Sequence, residues 1–393
     1  IIKKEENTMP LVPLRPLLEA TAKYGYAQGA FNVNAVAQAQ AAIEVHEMFR
    51  SAAILQGADL ANGFMGGRTD FMNATLEDKI RGAKNIGDAV KKFGENSPVP
   101  VVLHLDHGRD MDSVKAAIAG GYTSVMIDGS SLPFQDNIEL TREVVKYAHP
   151  RGVTVEGELG VLAGVEDHVF SAGSTYTNPM DAVEFFKKTG VDCLAISYGT
   201  MHGASKGKDV KLRREIPIAI RECLMHEGIF GVLVSHGSST VPRYIVDEIN
   251  GLGGEITNAY GISLAELKAA IPCGIGKINV DTDIRLAVTR NLRELFQKHP
   301  ELRDDSAIGG IHALLEEKKN QFDPRAFLTP VMDLVMYGDT QGSAALEAVT
   351  DCIRRGVKEA VGTLIVEFGS FGKAPLVEQV SLEEMAERYK KAE

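Results

Sequence analysis

Short apolar runs followed by helix-compatible segments recur along this 393-residue chain, and that recurrence restricts the fold more than any other feature. Strand candidates fall at 30–33, 53–56, 99–105, 124–128, 154–158, 192–197, 231–234 and 275–280. Helical patterns lie between or after them at 36–49, 75–93, 111–119, 138–148, 179–188, 214–226, 241–251, 263–270 and 283–297. About eight β-then-α units in one direction predict an α/β fold of the TIM (β/α)8 barrel type. A doubly wound open sheet fits less well, because no GxGxxG follows the first strand candidate. Residues 1–13 read as an arm or tag remnant, 14–298 as the barrel, and 299–393 as a helical C-terminal extension at a subunit interface. Met9 also allows a natural start.

The formal net charge of −11, without a basic cluster, argues against nucleic acid as a partner. An anionic substrate must then be drawn in by a local pocket. Four cysteines without CxxC spacing read as reduced thiols of a cytoplasmic protein. No apolar run reaches the roughly 18 residues of a membrane span.

Three histidines, each followed by glycine, end strand-like stretches: His107 in VVLHLDHG, His202 in SYGTMHG and His236 in GVLVSHG. They are too far apart in sequence for a zinc finger and can meet only where a closed fold gathers strand ends. Imidazoles on rigid strand ends suit an open divalent-metal site, with the element unspecified. The other reading, three hydrogen-bonded histidines, is the ordinary one for His46, His149, His226 and His299. His104 is expected to pack beside the site. Along a regular strand His104 and Asp106 share one side and His107 the other, so His107 must reach inward as the chain turns into its loop. Asp106, Glu156 and Glu158 supply carboxylates for proton transfer or a second metal position.

An anion cradle is expected where Asn279, Asp281 and Thr282 precede a helix whose first N–H groups are open. Gly237-Ser238-Ser239 and Gly203 with Lys206 would complete it, although Asx-rich helix starts are usually only caps. The Gly- and Ser-rich stretch 160–178 reads either as a solvated loop or as a lid carrying Glu166.

Taken together, AFNVN (30–34), LHLDHG (103–108), VMIDGS (125–130), VEGELG (155–160), GTMHG (199–203), SHGSS (235–239), KINVDTD (277–283) and FDPR (322–325) resemble the class II, metal-dependent fructose-bisphosphate aldolases. The resemblance runs from about residue 14 to GSFGKA. It implies a TIM barrel in homodimers or homotetramers that cleaves fructose 1,6-bisphosphate reversibly to dihydroxyacetone phosphate and glyceraldehyde 3-phosphate. It implies that His107, His202 and His236 hold catalytic Zn2+, with Asp128 and Glu158 at a second or alternative metal position. Asp106 becomes the acid/base at the C4 hydroxyl, Glu166 the lid carboxylate acting on the three-carbon donor, and Asn279 a contact of the enediolate. Asn32 belongs to the substrate-binding set. Gly203, Lys206, Gly237, Ser239, Asp281 and Thr282 become phosphate-binding positions, beside which a monovalent cation, Na+ or K+, can sit. Arg325 matches an arginine given across the subunit interface.

The chain departs from the family pattern at Ala58, where serine is common, at Ser205, where an aromatic is common, and at Ser235, where leucine is usual. Those departures leave open the same chemistry on another ketose phosphate, such as tagatose 1,6-bisphosphate. Two further readings are a lysine imine mechanism through Lys277, with nothing in its sequence neighbourhood marking it as desolvated, and a sugar-phosphate sensor without turnover. Intact Asp106 and Glu166 speak against the sensor.

Overall fold

Near-continuous Val, Ile, Leu and Ala in the short strands leave them no polar face, which suits parallel strands covered on both sides. The computed structural model describes residues 11–392 except 163, 167–168, 172–174, 204–205 and 207–208, with backbone alone at 164–166 and 169–171. Its strands are β1 (Gln28–Asn32), β2 (Ala53–Ala58), β3 (Val101–Gly108), β4 (Ser124–Ile127), β5 (Thr154–Leu159), β6 (Gly164–Glu166), β7 (Val169–Ser171), β8 (Cys193–Ile196), β9 (Val232–Ser235) and β10 (Ile275–Val280). Eight of them close into a parallel barrel in the order β1-β10-β9-β8-β5-β4-β3-β2. All eight predicted strands are present, displaced by at most three residues at their ends.

β6 and β7 pair antiparallel as a hairpin inside the stretch 160–178, which therefore is not simply an irregular loop. The sequence reading also missed the helix Arg15–Tyr24. Its Leu17 and Leu18, with Leu14 ahead of it, join the small residues of the barrel interior, among them Ala30, Ile54, Val102 and Val234. Pro13 just before that helix and Pro16 in its first turn hid its period, and Pro16 sits where a missing N–H does no harm.

The surrounding helices start where the local chemistry provides a cap. Thr75 and Asp78 form a reciprocal capping box, Asp110 accepts from Ser113 N, and Asn178 accepts from Met180 N ahead of a Pro179 start. Beyond the barrel lie Gly309–Glu317, Met332–Tyr337, Ala344–Glu367 and Leu382–Ala392. The helix Ala344–Glu367 packs on the helices Val36–Phe49 and Thr282–Lys298. Its Val349, Ile353, Val357 and Val361 belong to the same apolar core as the barrel's outer face. No helix among the described residues is long and apolar enough to cross a membrane.

Candidate metal centre and substrate site

Inward-facing positions on neighbouring strands place one polar layer above the apolar floor of the barrel. Asn32 comes from β1, His104 and Asp106 from β3, Glu156 and Glu158 from β5, and Lys277 and Asn279 from β10, each pair two residues apart and so on one face. His107 should face outward by that count. The pairing of β3 with β4 slips between Leu105 and Gly108, and His107 takes φ +48°. This bulge turns both Asp106 and His107 toward the site, the inward reach that a regular strand forbids. A histidine in the left-handed region is strained, and such strain is kept where function needs it.

The imidazoles meet. His107 lies 4.7 Å from His236 and 5.3 Å from His202, measured between ring centroids. His107, His236 and Asp106 bring ligand atoms within 4.8 Å of one another, as do His107, Asp128 and Glu158; His202 belongs to neither tight group. Glu156 Oε1 accepts from His236 Nε2 at 2.7 Å, and Asp128 Oδ2 accepts from His107 Nδ1 at 3.1 Å. Both accepting carboxyls are held well below the usual range. Burial pushes Glu156 up, but Lys277 and the His236 bond prevail; burial pushes Asp128 up, but His107 prevails. With those protons placed and no others, His236 Nδ1 and His107 Nε2 would face each other 3.0 Å apart with their lone pairs. Two such nitrogens repel unless a proton or a metal ion lies between them.

The carboxylates make the same demand. Glu158 Oε2 is buried with no hydrogen-bond partner among the described residues. Burial and the neighbouring Asp128 raise the Glu158 pKa well above its ordinary value. His107 is also raised: burial opposes its charge, yet Asp106, Asp128 and Glu158 outweigh burial and draw a proton to it. A ring charged by three carboxyls marks a place built for a cation, so the residues fit a divalent metal.

Asp106 is nearly buried between two amides. Asn32 Nδ2 donates to its Oδ2 at 3.0 Å and Asn279 Nδ2 to its Oδ1 at 3.1 Å. Burial works against its charge, but His107, His236 and Lys277 keep it below the ordinary aspartate range. His104 is the packing residue expected: Nδ1 meets Ser124 Oγ at 2.8 Å, and burial lowers its pKa to about 3.

Of the residues expected to cradle a phosphate, those following β9 and β10 meet one another. Ser239 Oγ accepts from Asp281 N at 3.3 Å and Thr282 N at 3.1 Å, at the start of the helix Thr282–Lys298. Gly237 has φ +59°, and a Cβ there would meet Met201 O at 2.4 Å, so only glycine fits. Lys206 is buried, its N–H donating to Tyr260 O at 3.2 Å, and Gly203 follows His202. Asp283, which the sequence reading did not single out, anchors the loop after His236 by accepting from Thr240 N, Thr240 Oγ1 and Val241 N. An Asp-Thr-Asp run could have signalled a cap shared with a neighbouring loop.

Arg325 is buried within its own chain, paired with Asp323 at 2.7 Å and lying over the Phe71 ring. Asp323 also pairs with Arg285, which in turn pairs with Asp281 of the cradle. Glu166 falls on the hairpin strand β6, and its side chain lies outside what is described, as does all of Ser205. Ser235 Oγ meets Tyr198 OH at 2.6 Å and Ser238 Oγ at 2.7 Å, so this departure is used in the scaffold. Lys277 is fully buried, contrary to the expectation of an undesolvated side chain, and Glu156 neutralises it at 2.9 Å.

These features define a (β/α)8 barrel with a group of residues able to hold a metal ion on the rim where the strands end. Residues 12–341 match the family described as Fructose-bisphosphate aldolase class-II. A fructose-bisphosphate aldolase from Giardia intestinalis is 37% identical over 97% of this chain and 100% of its own length. One from Treponema pallidum is 38% identical over 83% of this chain and 93% of its own. The crystal structure of the YdjI aldolase from Escherichia coli K12 superposes with a TM-score of 0.62 at 26% identity, covering 93% of this chain and 99% of that one. The chain belongs to the class II fructose-bisphosphate aldolases, a family of metal-dependent lyases.

Proposed function

We propose that the chain cleaves fructose 1,6-bisphosphate reversibly to dihydroxyacetone phosphate and glyceraldehyde 3-phosphate, with His107, His202 and His236 holding Zn2+. The observation that carries the site assignment is the pair of facing imidazole nitrogens beside Asp106. Nitrogen donors suit zinc, and Asp128 with Glu158 offers a second position for the ion. A divalent cation bound there supplies a Lewis acid toward the electrons released when C3–C4 breaks.

The protein's own groups do the rest. Asp106, kept ionised by its cationic neighbours, takes the C4 hydroxyl proton as the aldehyde leaves. Asn32 and Asn279 hold its two oxygens in place. Asn279 presents its amide to the three-carbon donor, on which Glu166 acts from the hairpin. Gly203, Lys206, Gly237, Ser239, Asp281 and Thr282 receive a phosphate, with Na+ or K+ beside it, and Arg325 serves the other phosphate. The enzyme works as a cytoplasmic homodimer or homotetramer whose 299–393 extension lies at the interface.

A panel of ketose phosphates tests the substrate: kcat/KM should be highest for fructose 1,6-bisphosphate. A strong preference for tagatose 1,6-bisphosphate would establish the second reading, which Ala58, in register with Asp106, favours. Chelation should abolish turnover, whereas borohydride with substrate should trap nothing on Lys277.

A further inference from the structure

We propose that Lys277 is a positioning residue for aldol cleavage, fixing which way round the Asn279 amide faces the substrate. Lys277 Nζ donates to Asn279 Oδ1 at 2.7 Å and pairs with Glu156 Oε2 at 2.9 Å. An ammonium has donors only, so the oxygen of Asn279 must face it. Nδ2 is thereby turned into the site, where it donates to Asp106 Oδ1 at 3.1 Å and lies 3.1 Å from His236 Nε2, whose own proton goes to Glu156. Without Lys277 the amide could rotate by half a turn. Its oxygen would then oppose the Asp106 carboxylate, and its donor would be lost to the reacting side.

The same ammonium orders the metal side. Glu156 uses one oxygen for Lys277 and the other for His236 Nε2, which leaves His236 Nδ1 aimed at His107. Lys277, Glu156 and His104 are all fully buried, so the arrangement is screened from water and set by neighbours alone. Lys277 thus sits at the join of two arms, one through Asn279 to the proton-transfer carboxylate and one through Glu156 to an imidazole. The Asn279 arm rests on the role proposed for Asn279 above.

A double-mutant cycle with Lys277→Met and Asn279→Ala tests the inference, with kcat, KM, bound metal and melting temperature read for each protein. Loss of an oriented donor is expected to cost roughly 100-fold in kcat. Lys277→Met should lower kcat by about that factor with KM within about twofold and metal retained. Added to Asn279→Ala, it should cost less than about threefold more, because the amide it orients is gone. Lys277→Gln, which keeps a donor for Asn279 Oδ1, should restore most of the loss. Additive losses, unchanged kcat in Lys277→Met, equal losses with Met and Gln, or loss of metal in step with activity would each overturn the inference. Parent activity in Asn279→Ala would instead remove Asn279 from the chemistry, and the inference with it. Should Lys277→Met not fold, Lys277→Met with Glu156→Gln removes both buried charges while an amide oxygen still accepts from His236, and the same criteria decide.

Discussion

Asp106 shows how much one position depends on its surroundings. A buried carboxylate is costly, yet two amides and the nearby His107, His236 and Lys277 keep this one charged and oriented. Replacing it by alanine removes the proton acceptor and leaves the three histidines in place. Asp106→Ala should retain bound metal while turnover falls by about 100- to 10,000-fold. Unchanged turnover in the metal-loaded variant would take Asp106 out of the mechanism. Gly237 makes a different demand, that of backbone shape. A methyl group there enters the space of Met201 O at a positive φ, at a cost of about 1–3 kcal/mol. Gly237→Ala should weaken binding of a phosphorylated ligand more than binding of metal, which parallel calorimetric titrations would show.

The strands and most helices were legible in the sequence because each carries its own period or apolar run. Val36–Phe49 and Met111–Ala119 begin and end where the pattern places them. The β3 bulge was not legible: Asp106 and His107 alternate as in any strand, and only pairing with β4 turns both inward. Nor was the desolvation of Lys277, since a lysine in an apolar strand reads the same whether it points into a barrel or out of it. The β6–β7 hairpin was hidden because glycines and serines mask three-residue strands. The helix Val36–Phe49 carries a pH dependence of its own. His46 is buried, its Nδ1 donates to Ala42 O at 2.7 Å, and burial lowers its pKa from 6.5 to about 4. The folded value lies below the unfolded one, so stability is fully present above pH 6.5 and falls as pH drops through the window to about 4. The loss is about 3 kcal/mol over that range. His46→Gln should flatten this part of a denaturation-versus-pH curve; an unchanged slope would show that His46 does not set it.

At the scale of the whole molecule, barrel and extension share one apolar core through the helix Ala344–Glu367. Their unfolding should therefore be a single cooperative transition by calorimetry, and two separated transitions would show that 299–393 is an independent unit. The extension also reaches the proposed phosphate cradle through the ion pairs from Arg325 to Asp323, Arg285 and Asp281. Arg325→Ala should raise KM by about tenfold or more, the worth of a lost charged hydrogen bond. A normal KM would confine Arg325 to a structural part. The proposed chemistry needs one cation shared by imidazoles from β3, the loop after β8, and the end of β9. Anomalous diffraction at the zinc edge from metal-loaded crystals tests it most directly. One dominant peak is expected about 2.0–2.1 Å from a nitrogen of each of His107, His202 and His236; a peak elsewhere, or none among those rings, would rule out a shared ion.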